Sequence, residues 1–370
     1  MGKSPTIGYL TTELSSRNGW GRYSRSLVEA IGDTATVRVL TMRGAPNETT
    51  ITDVRCVLPL ANFHPFAQLL IAWQTFRAFR HCDIIHVLVE PYAPGAVLVA
   101  QLLRIPITMT MHGTYSLPPV HFSTKKLMMK YMYQHLTRTT TGSLYTEKKV
   151  REIVSIGVCE FIPNGVNLEK FYQIPSIPKE ERILTVGALK PRKGVDIVIR
   201  ALAILKDEFP HLQYSVIGDD DRGAFFQELQ QLVGDLDIKE RVEFINYIKD
   251  EDLVKLYNRS KIFVLAARDS EGSFEGFPMV FYEANACGTP IISTKGFGSE
   301  YAIKNGKNGF VVEPDNPQAI ADAIRMLLID KEQYTFMQKG ALHEAAEHTW
   351  EKVAIKLEAF YKRAINQQSL

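Results

Sequence analysis

The chain has 370 residues, 45% of them hydrophobic and 23% charged, with a net charge of +2. That is the composition of a soluble globular protein of about two domains. It excludes a membrane-spanning helix, because no apolar run approaches the roughly 20 residues of a span. The charge is uneven. Residues 1–170 hold 18 Lys and Arg against 11 Asp and Glu, and residues 171–370 hold 25 against 30. The basic first half therefore suggests a phosphate or an acidic membrane surface as partner, against the alternative of unselective surface charge; nucleic acid is not expected. Four scattered cysteines with no C-x-x-C and no histidine cluster read as reduced thiols, not as a disulfide frame or zinc site. The opening MGKSPTIGYL carries no secretory apolar region but matches a lipidation pattern at Gly2 and Thr6.

In chain order, residues 7–11 and 37–41 are predicted strands around a helix at 23–31. A strand at 84–89 ends in the turn Glu90-Pro91. Helix 95–103, strand 107–111, helix 124–137, strand 139–142, helix 147–155 and strand 161–163 follow. Residues 172–182, with two prolines and few apolar side chains, read as a linker. A second series begins after it. Its strands are 183–186, 213–217, 242–244, 262–267 and 290–293, and its helices are 195–209, 223–236, 251–259 and 279–286. Helix 349–364 is amphipathic. Strands alternating with helices predict α/β domains with parallel sheets.

Several strand ends carry chemistry. Asn18-Gly19-Trp20-Gly21-Arg22-Tyr23 opens the first helix, where Gly19 and Gly21 let a ligand approach the backbone; the alternative is a plain turn. His112 follows strand 107–111 and can donate to a ligand hydroxyl or carbonyl, or can be structural. Helix 124–137 sets Lys125, Lys126 and Lys130 beside methionines and tyrosines. It is either core-packed with a solvated lysine face or interfacial on anionic lipid. Lys190, Arg192 and Lys193 stand between Gly187 and Gly194 at a helix start, a suitable diphosphate clamp or an ordinary basic turn. Asp219-Asp220-Asp221 reads more simply as a turn than as a metal site. Asn246-Tyr247-Ile248 follows another strand end. The stretch 269–290, DSEGSFEGFPMVFYEANACGTP, places Glu275 in a loop at a sheet mouth and Glu283 about two turns into the following helix. Two surface acids would be the plain reading, but their neighbours are apolar or small, and carboxylates so placed usually have a partner.

The Glu275-x7-Glu283 string resembles the signature of the family 4 retaining glycosyltransferases, which have the GT-B fold. Gly19, Gly21, Arg22 and Tyr23 match the family's glycine-rich loop, with Asn18 in place of its first glycine. Lys193 and Gly194 match its cationic loop, with Ala188 replacing the arginine. Pro278 replaces a usual glycine and removes an N–H. The resemblance implies two Rossmann-like domains facing across a cleft, 1–170 with 349–370 and 171–348. It implies a nucleotide-diphosphate sugar as donor substrate, no metal or other cofactor, and a glycan or lipid-linked acceptor. His112 and Glu275 would meet the transferred sugar. Gly19, Gly21, Arg192, Lys193, Tyr247, Ile248, Phe277, Met279, Val280 and Glu283 would bind the donor, with Glu283 on the ribose. A cytoplasmic enzyme, peripheral at the inner membrane face, follows from such acceptors. The alternatives are a non-catalytic nucleotide-sugar-binding protein and a sugar-nucleotide epimerase of the same fold.

Overall fold

The computed structural model describes residues 4–218 and 223–368. Gly2 and the Asp219–Asp221 turn lie outside the described residues. The chain forms two compact units, Met1–Asn164 with Trp350–Leu370, and Gly165–Thr349.

The first unit runs β1 (Thr6–Leu10), α1 (Gly19–Gly32), β2 (Thr36–Met42), β3 (Val54–Leu58), α2 (Pro65–Phe79), β4 (Ile84–Val87), α3 (Ala93–Leu103), β5 (Ile107–Met111), α4 (Thr124–His135), β6 (Arg138–Thr141), α5 (Leu144–Arg151) and β7 (Cys159–Phe161). Its sheet has the order β3-β2-β1-β4-β5-β6-β7, with every pair parallel. Right-handed crossovers then put α2, α3 and α4 on one face and α1 on the other. The first group seals the core with Ile71, Phe79, Val97, Met129 and Met132. Central strands buried on both faces carry apolar or satisfied residues throughout; all five of ITMTM in β5 are buried.

The second unit runs β8 (Glu180–Val186), α6 (Val195–Ile204), β9 (Gln213–Ile217), α7 (Ala224–Asp235), β10 (Val242–Ile245), α8 (Asp250–Arg259), β11 (Ser260–Leu265), α9 (Val280–Ala286), β12 (Ile291–Thr294), β13 (Gly309–Val312), α10 (Pro317–Ile329) and α11 (Lys331–Glu347). Its sheet is β10-β9-β8-β11-β12-β13, again parallel throughout. Both sheets have the doubly wound order 3-2-1-4-5-6, in which the strand order reverses beside the first strand and leaves a crevice at the carboxyl ends. The reversal falls between β1 and β4 in one unit and between β8 and β11 in the other.

The chain then returns to the first unit as α12 (Trp350–Gln368), which packs along α1. A buried polar chain fastens it: Tyr9 Oη lies 2.9 Å from Tyr361 Oη, which lies 2.6 Å from His86 Nδ1. His86 Nε2 lies 2.9 Å from Thr110 Oγ1, which also meets Tyr23 and Thr140.

The structure corrects several sequence expectations. Strand β8 begins at Glu180, inside the predicted linker, because pairing with β9 and β11 outweighs a polar composition. Helix α4 ends at His135, and α6 ends at Ile204 instead of 209. Helix α9 starts at Val280, so Glu283 lies in its first turn, not two turns in. Strands β3 and β13 and helices α2, α10 and α11 fall in stretches for which no element was expected.

Candidate active site

In the second unit, the loops after β8 and β11 meet at the reversal point. Residues Pro191–Lys193 make a short 3-10 turn, and Gly194 closes it at φ +65°. A side chain there would put its Cβ 1.9 Å from the Ala266 carbonyl oxygen, so only glycine lets the two loops touch. Arg268 braces the same turn. Its Nε donates to the Pro191 carbonyl at 2.9 Å, its Nη1 pairs with Asp196 at 2.9 Å, and its backbone N–H donates to Arg192.

This geometry brings Glu275 onto the cations. Lys193 Nζ lies 2.8 Å and Arg192 Nε 3.7 Å from Glu275 Oε2. Lys193 and Glu275 are buried. Burial would raise the Glu275 carboxyl pKa, but Lys193 and Arg192 outweigh it, with help from Lys190, and hold the group below its usual range. The site is nevertheless incompletely satisfied. Among the described residues, Arg192 Nη1 is buried with no hydrogen-bond partner, while Glu275 Oε2 is paired with Lys193 and Arg192. Buried charged groups rarely stay so; the arrangement suits an incoming anion and hydroxyl. Lys190 and Ala188 are exposed, so Arg192 is the cation that joins Lys193 at the carboxylate.

Glu283 is buried in the first turn of α9, where Tyr257 Oη donates to its Oε2 at 2.9 Å. Phe277, Met279 and Val280 are half-buried before and at that turn, with the Phe277 ring 5.4 Å from that of Tyr282. Pro278 is buried and lends its carbonyl to Phe281. Tyr247 is exposed after β10, and Ile248 half-buried.

The first unit has its own cluster at the carboxyl ends of β1, β4 and β5. Asn18 caps α1, accepting from the Gly21 N–H at 2.9 Å, so the residue that departs from the family loop has a helix-starting role. Its amide donates to buried Glu13, which also takes the Ser15 hydroxyl. Gly21 is packed against these groups, with no room for a Cβ, whereas Gly19 faces open space. His112 was expected to donate to a ligand. Its Nε2 lies 2.9 Å from the Leu88 carbonyl, which only accepts, so that nitrogen's proton is already used. Burial lowers the imidazole pKa, against Glu90 and the Leu88 bond, and keeps it neutral, leaving Nδ1 as an acceptor. Glu90 is fully buried; its Oε1 accepts from the His112 N–H at 3.0 Å and from Ser116 at 2.7 Å.

Glu13, Glu90, Asp196 and Arg268 escaped the sequence expectations. Glu13, Glu90 and Arg268 follow closely on the ends of β1, β4 and β11, and Asp196 lies in the first turn of α6; a charged residue at such a position was the available signal. Among the described residues no three His, Cys, Asp or Glu side chains gather as a metal site.

The two sheets and the cation–carboxylate cluster define a protein of the two-domain Rossmann-like class with a buried charged cluster at a strand-order reversal. Residues 17–170 match the family described as Glycosyltransferase Family 4, and residues 167–343 match Glycosyl transferases group 1. The chain belongs to the family 4 glycosyltransferases, of the GT-B fold. It is 31% identical over 191 residues to a D-inositol 3-phosphate glycosyltransferase of Corynebacterium urealyticum, covering 50% of this chain and 44% of the other. It is 28% identical over 201 residues to the GDP-mannose-dependent alpha-(1-6)-phosphatidylinositol monomannoside mannosyltransferase of Mycolicibacterium smegmatis, covering 51% and 52%. The chain thus spans about half the length of these curated relatives. In fold it is similar to sucrose-phosphate synthase from Thermosynechococcus elongatus, with a TM-score of 0.80 at 21% identity over 98% of this chain and 100% of that one. It is also similar to Anabaena Alr3699/HepE solved with UDP-glucose, with a TM-score of 0.76 at 19% identity over 98% and 100%.

Proposed function

We propose that this chain is a retaining hexosyltransferase that moves a sugar from a nucleotide diphosphate to a glycan or lipid-linked acceptor. The observation that carries this reading is the buried Glu275–Lys193–Arg192 cluster at the β8/β11 reversal, with Glu283 one helix start away. The cations would hold the diphosphate and stabilise the charge it gains on leaving. Glu275 would bind the hexose, Glu283 the ribose hydroxyls, and His112 Nδ1 would accept from a sugar hydroxyl. Tyr247 and Ile248 would flank the base, while Phe277, Met279 and Val280 would line the donor. The departing phosphate would take the acceptor proton on the same face of the sugar, so no metal is required.

Two relatives support the partner classes. One is named for a phosphatidylinositol monomannoside acceptor, and a fold neighbour was solved with UDP-glucose. No helix among the described residues is long and apolar enough to cross a membrane. A lipid-linked acceptor would bring the basic first unit to an anionic membrane surface, on the cytoplasmic side where donors are made. The test is thermal-shift screening against nucleoside diphosphates and their sugars, followed by donor turnover with chelator present and anomer analysis of the product. Stabilisation by a nucleotide sugar and a product of the donor's own anomeric configuration are expected. Failure of every nucleotide to shift the protein would overturn the reading.

A further inference from the structure

We infer that the outer face of α2, continued by α3 and the segment leading into α4, is the surface on which this chain docks to an anionic lipid bilayer. The inference rests on the proposed lipid-side acceptor, and it moves the main contact away from the lysines of α4. Helix α2 is apolar almost all round. Its inner side sends Ile71, Ala78 and Phe79 into the core. Its outer side shows Phe66 at 76% exposure, Leu69 at 63%, Trp73 at 52% and Phe76 at 38%. Steps of three and four residues put these four on one stripe. A helix apolar on both sides is ordinarily covered on both.

The stripe does not stand alone. Helix α2 packs along α3, and α3 along α4. Exposed Leu98 and Leu102 extend it on α3, and Val120 and Phe122 extend it before α4. The Lys125 ammonium sits over the Phe63 ring at 5.2 Å, tying the far edge to the start of α2. Scattered exposed apolar residues need no explanation, but a run of this size on adjoining helices does.

Charge selects the occupant. Residues 54–146 contain eight Arg and Lys and only two acids, Asp83 and Glu90, and Glu90 is fully buried. Arg77, which lies 4.7 Å over the Trp73 ring, and Arg80, Arg104, Lys125 and Lys130 are exposed around the apolar stripe. A protein partner commonly meets both signs in a rim. An acid-poor cationic rim around aromatic and leucine side chains fits anionic headgroups with acyl chains beneath.

The experiment is sedimentation of the full chain with phosphatidylcholine vesicles, with and without phosphatidylglycerol, at low and high salt. Wild type should bind only the anionic vesicles, and salt should weaken but not abolish binding. Both substitutions Phe66→Ser and Trp73→Ser together should cut vesicle partition about tenfold or more, while the thermal shift given by a nucleoside diphosphate stays unchanged. Brominated acyl chains should quench Trp73, judged against Trp73→Phe. If the double variant binds like wild type while Lys125→Gln, Lys126→Gln and Lys130→Gln together abolish binding, the contact belongs to α4 and the inference fails, though the lipid reading survives. Wild type that ignores all vesicles overturns both. Self-association that the double variant abolishes would instead make the stripe an interface between copies.

Discussion

Glu275 and Lys193 hold each other in the free protein, and this changes what their substitutions should do. Separate roles for carboxylate and cation would predict that Glu275→Ala leaves nucleotide affinity untouched. The 2.8 Å pair predicts more. Removing one partner of a buried pair leaves unpaired charge and costs about 3–5 kcal/mol of stability. A diphosphate would restore the pairing, so nucleoside diphosphate should stabilise Glu275→Ala more than wild type in thermal shift, while turnover falls. Glu283→Ala should instead lose about 1.5–3 kcal/mol of nucleotide affinity whatever sugar is attached, measurable by calorimetry. Equal affinity losses in both variants would contradict the assignment. Lys193→Ala should raise donor KM and lower kcat together, since the diphosphate gains charge in the transition state. The carboxylate of Glu275 has a depressed pKa in the folded state. Its contribution to stability is therefore present above the usual carboxylate range and is lost as pH falls through the depressed value.

At the scale of elements, central strands were readable because they are buried on both faces and read as apolar runs; β5 and β9 lie where the pattern puts them. Helix α2 was not, because a helix apolar on every side has no 3.6-residue contrast to find. Edge strand β3, half-exposed and carrying Arg55, offers little pattern either. The carboxylates of the second-unit site were legible through their spacing, but their pairing was not. Which cation reaches Glu275 depends on the contact of Gly194 with Ala266, two loops apart in sequence. Lys179 makes the same point at the helix ends of α8 and α9. Its ammonium donates to the carbonyls of Tyr257, Ser260 and Cys287 at 3.0–3.2 Å and to Thr289 Oγ1 at 2.6 Å. Four oxygens from the α8–β11 and α9–β12 connections converge on one lysine that sits in what was read as a linker. Lys179→Met should orphan several carbonyls, at about 1–3 kcal/mol for each that water cannot reach. Faster amide hydrogen exchange in β8 and β11 would register it; unchanged exchange would show the lysine dispensable.

Over the whole molecule, the two units differ in how they should respond to acid. His86 is buried between Tyr361 and Thr110, and desolvation, aided by His112, pushes its pKa down from 6.5 to about 3. Between those values the unfolded chain binds a proton that the folded one refuses. Stability of the first unit should therefore fall as pH drops below 6.5, by up to about 1.4 kcal/mol per pH unit from this group. Trp20, Trp73 and Trp350 are the chain's three tryptophans, and all lie in the first unit. Tryptophan fluorescence in urea thus isolates that unit. His86→Asn should lower its midpoint at pH 7 and flatten the change between pH 7 and pH 5; an equal slope in both proteins would place the acid sensitivity elsewhere.

The first unit is not continuous in sequence, since α12 joins it only after the whole of Gly165–Thr349. During synthesis, Tyr9 and His86 therefore emerge long before Tyr361, their hydrogen-bonding neighbour, has been translated. The earlier-made domain must wait, with the face that α12 covers open and with Tyr9 and His86 short of the Tyr361 hydroxyl, while the later-made one has everything it needs to fold. Order of birth and order of completion are reversed. A chain truncated after Thr349 should expose its first unit to protease while its second resists.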